Sequence, residues 1–233
     1  MKINLFTAGI CMLAVAALSS CGGSSSSPVA TGCFGGIPEM IASYEQESEE
    51  IKTGLNENNY EKKEKEADEL KEKTTADVEK LATELNGKEI TCTVDESQLK
   101  IVKPVTLVFE SMNKYRPVFR LGGEVVSASD ITLDAKPSDL GGNALLGDNE
   151  IVVTVKMPVA LDFIDKEGNV VKHLNDIGTL SAENDGKTAV VKVGTPIDFC
   201  RTFVVDEKFS GVESIRLTVE MDKTPYTSRS LKN

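Results

Sequence analysis

Tryptophan is absent from the 233-residue chain, histidine occurs once, and Phe, Trp and Tyr together supply only 5% of residues. Scarce rings argue against a sugar-reading platform, which relies on exposed aromatic faces. A single histidine excludes paired-histidine metal motifs, and His173 stands beside a predicted turn, where a solvated side chain is expected in place of a base or ligand. No Gly-rich phosphate loop and no Gly-x-Ser-x-Gly elbow occurs. Positive charge is in deficit as well: 26 Lys and Arg face 37 Asp and Glu, a formal charge of −11. Nucleic acid is therefore a poor partner, since its binding is dominated by cations that neutralise phosphates. Long apolar runs are also missing, none reaching the roughly 20 residues that cross a bilayer as a helix.

What the N-terminus does contain is a charged start at Lys2, an apolar stretch from Leu5 to Leu18 broken only by Thr7 and Gly9, and then Leu18-Ser19-Ser20-Cys21. That order describes a secretory signal. Its end resembles the lipobox of bacterial lipoprotein precursors, and a flexible Gly22 to Ser27 stretch follows. The resemblance implies removal of residues 1–20, diacylation of the Cys21 thiol and acylation of its new amino group. Two or more chains give durable membrane attachment, where one is marginal. It also implies the outer membrane as destination, because residue 22 is Gly and not the Asp that retains such proteins at the inner membrane. An ordinary signal peptide ending in an incidental cysteine is the plainer alternative. Loss of Lys2 takes the charge from −11 to −12, which favours solubility and spacing from an anionic bilayer surface.

Residues 21–36 are expected to be a lipid-anchored flexible tether, and residues 37–86 a helical unit. Pro38 suits the first turn of a helix. Ile37, Ile41, Tyr44, Ser48, Ile51 and Leu55 recur at alternating four- and three-residue steps, the spacing of a narrow seam. Gly54, Asn56, Asn58 and Asn59 then predict a turn. A second helix carries Tyr60, Ala67, Thr74 and Leu81, with Leu70, Val78 and Leu85 near the same face. Glu61/Lys65 and Glu69/Lys73 lie one turn apart on its polar side. An antiparallel hairpin packing on itself accounts for this thin stripe better than a partner-binding coiled coil or one continuous helix.

From Gly87 the period changes to two. Val105, Leu107 and Phe109 share one strand face, as do Ile151, Val153, Val155 and Met157; Ala189, Val191 and Val193; Ile197, Phe199, Phe203 and Val205; and Ile215, Leu217, Val219 and Met221. Arg201 interrupts the fourth set, which predicts a bulge or an edge. Residues 164–169 read as a hairpin turn. Several short alternating strands indicate an all-β domain over 87–225, with 226–233 expected as a disordered tail. Leu161-Asp162-Phe163-Ile164-Asp165 leading into Gly168-Asn169-Val170-Val171 resembles the middle hairpin of immunoglobulin-like modules of bacterial envelope proteins. The fold class is thus α+β, a helical hairpin followed by a β-sandwich that the resemblance makes immunoglobulin-like.

Candidate chemistry is thin. Asp130, Asp134, Asp139 and Asp148 lie in the long irregular stretch Ser127 to Asn149, but their spacing fits no twelve-residue calcium loop, so no metal and no cofactor is assigned. Asp162, Asp165 and Glu167 are the acids a glycosidase reading would use. Acids are commonplace at hairpin turns, and no catalytic residue is assigned. Of the cysteines, Cys11 leaves with the signal and Cys21 carries lipid, so Cys33, Cys92 and Cys200 enter a compartment that permits disulfides. Cys92 shares parity with Ile90 and Val94 and faces inward, whereas Cys200 shares parity with Asp198 and Thr202 and faces outward. The second helix outruns the first by about 11 residues, roughly 16 Å, which about five extended residues before Pro38 can cover. A Cys33–Cys92 bond is therefore expected, with no disulfide as the alternative. Two functional classes remain: a non-enzymatic outer-membrane lipoprotein that contacts another envelope protein, and a ligand-binding accessory lipoprotein for glycans. The shortage of rings favours the first.

Overall fold

The computed structural model describes residues 32–56, 58–133, 144–146, 149–184, 188–221 and 226–231. Two helices, α1 (Ile37–Thr53) and α2 (Tyr60–Leu85), precede a mainly β body. In α1 the seam positions Ile37, Ile41 and Ile51 are buried and Tyr44 and Ser48 half-buried, while Leu55 is exposed beyond the helix end. In α2 the buried face is Thr74, Val78, Ala82 and Leu85, so only its second half reaches the core. The asparagine cluster organises the turn between them. Asn59 Nδ2 donates to the Gly54 carbonyl at 2.8 Å, and its Oδ1 accepts from the Asn56 N–H at 2.8 Å.

The strands are β1 (Cys92–Val94), β2 (Leu99–Asn113), β3 (Arg116–Ser127), β4 (Ile131–Leu133), β5 (Ala144–Leu146), β6 (Asn149–Asp165), β7 (Val170–Asn184), β8 (Ala189–Val191), β9 (Ile197–Phe199), β10 (Phe203–Val204), β11 (Val212–Val219) and β12 (Tyr226–Leu231). One sheet runs β1-β11-β6-β7-β8-β4, with β5 and β12 also on β6 and β9 also on β7; a second runs β10-β3-β2. They meet at two corners. Gly87 and Ile90 donate to the Leu107 and Val105 carbonyls of β2, while Ile215 of β11 donates to Thr91; opposite, Ser127 of β3 donates to Thr195. The sheet therefore curls most of the way around its core.

Several expectations change. Residues 226–231, expected to be disordered, form β12 antiparallel to Ile151–Lys156 of β6. Of the bulge or edge expected at Arg201, the edge is found: β10 is an outer strand of the smaller sheet, and the chain crosses to it from β9 of the larger sheet at residues 200–202. The stretch Ser127 to Asn149 contains β4 and β5, although Asp134, Asp139 and Asp148 lie outside the described residues.

The tether also ends earlier than its Gly-rich composition implies. Phe34 is 1% exposed, its ring centroid 5.3–6.2 Å from those of Phe119, Phe163, Phe203 and Phe209. It is a core plug joining both sheets to the segment that leads into α1. Gly32 allows the entry: its φ is +56°, and a Cβ there would meet the Val212 carbonyl oxygen at 2.5 Å. Ile37, Ile41, Val78, Ala82 and Leu85 share one continuous core with the strands, so helices and sheets are not separate bodies.

Candidate functional site

On the outer face of the larger sheet, strict alternation sets three polar side chains side by side. Ile215, Leu217, Leu161 and Phe163 point inward and are buried, so Arg216 and Asp162 point outward. Register puts Arg216 opposite Asp162, and Asp162 opposite His173. Asp162 accepts from Arg216 Nη2 at 2.7 Å and pairs with His173 Nδ1 at 2.6 Å, while His173 Nε2 lies 2.5 Å from Asn175 Oδ1. Desolvation pushes the Asp162 carboxyl upward, but the hydrogen bonds from His173 and Arg216 outweigh it and hold the group below the usual carboxylate value. The Asp162 hydrogen bond chiefly raises the His173 pKa.

Asp165 is used differently. It folds the β6–β7 turn, accepting from the Glu167 and Asn169 N–H groups at 3.0 and 2.8 Å, with Gly168 at φ +86° completing the turn. The acids singled out by a glycosidase reading therefore serve two separate local structures and do not converge on a cleft. Asp130 accepts from the Val193 N–H at 2.8 Å. No group of three or more metal-ligating side chains occurs among the described residues.

Cys33, Cys92 and Cys200 are free thiols, in place of the expected Cys33–Cys92 bond. Both partners do reach the same edge of β11: the Cys33 N–H donates to Val212, whereas Cys92 pairs with Ile215. The two cysteines thus meet β11 at positions three residues apart, on either side of its bulge between Val212 and Ser214. Burial, with Glu213 nearby, pushes the Cys33 thiol up to about 11, and burial pushes Cys92 up to about 12. Cys21 lies outside the described residues, and no helix among the described residues is long and apolar enough to cross a membrane.

Among the described residues, an open cleft of about 480 Å³ lies between the β2–β3 turn, β7 and the β9–β10 crossing. Leu174, Phe203 and Phe209 form its apolar lining, and Lys114, Arg116, Lys172 and Arg201 bring four cations against the single carboxylate of Asp206. Arg116 is held by Glu45 at 2.5 Å and Glu207 at 3.6 Å. Lys172 Nζ is 4.0 Å from Asp206 and 5.2 Å from the Phe209 ring centroid. Arg201 donates to a neutral acceptor, the Asn175 carbonyl.

No known protein family, no curated protein and no solved structure matches this chain. The site is thus read from its own geometry. Sequence reasoning missed the cleft because its cations are scattered over 114, 116, 172 and 201. The one signal was Arg201, which broke an otherwise apolar alternation.

Proposed function

We propose that this chain is an envelope lipoprotein, tied to the outer membrane through lipid on Cys21 and acting without catalysis as a protein-interaction module. The observation that carries the reading is the Leu18-Ser19-Ser20-Cys21 sequence behind a charged start and a short apolar run. The fold is consistent with that anchor. Cys33 and Phe34 are already buried about a dozen residues after Cys21, a length that spans at most about 40 Å when extended, so the body works close to its bilayer. A finer reading of the architecture accompanies the proposal: an antiparallel helical hairpin on an immunoglobulin-like sandwich, supported by the seam in α1, the asparagine-tied turn and the long β6–β7 hairpin.

Replacing Cys21 by Ser tests the anchor. The wild type is expected in the membrane fraction, labelled by radioactive palmitate and shortened by its signal. The Cys21→Ser chain is expected to be unlabelled and soluble or unprocessed. A Cys21→Ser chain that is cut normally and still sediments with outer membranes overturns the reading.

A further inference from the structure

We propose that the cleft between β7 and β10 binds an extended, acidic peptide segment of a partner protein, recognised by its carboxylates and its backbone together. This deepens the interaction role proposed above by placing the contact and stating the partner's chemistry.

Charge is the first argument. The whole chain carries 37 acidic residues to 26 basic, yet four cations and one carboxylate line the cleft. Asp206 and the two glutamates near Arg116 compensate part of this charge. Arg201 faces a neutral carbonyl, and Lys114 has no ion pair among the described residues. A surface selected only for solubility on so acidic a protein would scatter these cations, whereas here they converge on a concavity with an apolar lining. Complementary potentials of this kind set partner choice and steer encounter.

Lys114 is the second argument. It sits in the two-residue turn between β2 and β3 with φ +58°, the left-handed region that favours Gly or Asn in such turns. The lysine therefore occupies a position that local backbone preference would give to another residue, and it borders both this cleft and the neighbouring one beside Tyr44 and Lys52. Backbone strain of this sort belongs with a functional demand on the side chain.

The backbone supplies the third. The curled sheet is interrupted here: among the described residues, β7 pairs with β6 from Val170 to Ala182 but with β9 only at Gly178–Leu180, and β10 pairs with β3 alone. Lys172 and Leu174 on the β7 edge and Phe203–Val204 on the β10 edge line the opening, where an added strand can use their backbone groups. A peptide meets those edges with its own amide groups. A sugar does not, and the Phe203 and Phe209 rings are too buried to stack on one.

The test uses the full chain and a fluorescein-labelled heptapeptide of alternating Glu and Val. The acidic peptide is expected to bind, and its Gln/Val counterpart and a copy with alternate backbone nitrogens methylated are each expected to bind about tenfold more weakly or worse. Lys114→Gly is expected to weaken binding about fivefold while leaving the melting temperature unchanged or raised, because glycine accepts the turn geometry. Arg201→Gln supplies a second variant, its folding checked by circular dichroism. Equal binding of the Gln/Val peptide, undiminished binding after backbone methylation, tighter binding of a hexuronic acid trisaccharide, or no effect of either substitution overturns the proposal. Absence of all peptide binding also overturns it. Should Cys21→Ser meanwhile release the protein from membranes, the cleft assignment alone has failed and the anchor stands.

Discussion

The thiols of this protein divide by burial. Cys200 is exposed, whereas Cys33 is buried and the half-buried Cys92 packs against the core, both held well above the ordinary cysteine range. Thiolate is the reactive form, and a group near 11 is ionised to only about one part in a thousand at pH 8. In the folded protein, a thiol-specific disulfide reagent is expected to label Cys200 within minutes, and Cys33 and Cys92 only after urea is added. Rapid labelling of Cys33 in the native state would contradict the packing around Phe34. His173 offers a second check at this scale. Its folded pKa is raised, so bound proton favours the native state: the stabilisation is full below the ordinary histidine value and fades as pH rises through the raised one. Asp162 works the other way, its contribution present above the ordinary carboxylate value and lost as pH falls through the lowered one. The ladder is thus strongest in mild acid. With the His173 side chain 51% exposed, its share is about 0.5 kcal/mol or less after solvent screening. Urea titrations should find His173→Gln more destabilising at pH 6 than at pH 9, and equal losses at both would remove the ion pair from the account.

At the scale of elements, the long β2–β3 hairpin depends on irregularities that bend it around the core. Its register shifts between Lys103 and Thr106, opposite Gly122 and Gly123. Gly123 has φ +105°, and a side chain there would collide with the Pro104 carbonyl. Gly123→Ala is therefore expected to cost about 2 kcal/mol or more, from backbone strain plus displacement of Pro104, measured by chemical denaturation. A change within about 0.5 kcal/mol would show that the bend tolerates a side chain. This element also shows what the sequence made legible. Alternation identified the inward faces correctly at Val105, Leu107, Val155, Met157, Ile215, Leu217 and Val219, because period two is a local property. It failed at Val193 and Met221, which are 63% and 49% exposed, because nothing local says where a strand stops. The sheet change at residues 200–202, the parallel pairing of β1 with β11 and the role of Phe34 depend on segments far apart in the chain. A single ring among glycines carries no periodicity, so Phe34 looked like part of a linker.

For the molecule as a whole, the decisive fact is that α1 and α2 contribute to the same core as the strands. The second half of α2 is anchored through Val78, Ala82 and Leu85, while Tyr44 of α1 packs 4.4 Å, centroid to centroid, from Tyr115 in the β2–β3 turn. Tyr115 Oη also donates to Glu45 at 3.1 Å, fastening the turn to α1. An acidic α-helical pair with so thin a stripe has little stability alone, since most helical stability in proteins comes from tertiary packing. Helix and sheet are therefore expected to unfold together. Helicity at 222 nm and the near-ultraviolet dichroism of the tyrosines should give superimposable urea transitions, the mark of a two-state unit. A helical signal lost well before the tyrosine signal would instead separate the helices from the core. The same coupling bears on the cleft: the turn carrying Lys114 is fixed to α1 through Tyr115 and Arg116, so a partner seated there rests against a site braced by both halves of the fold.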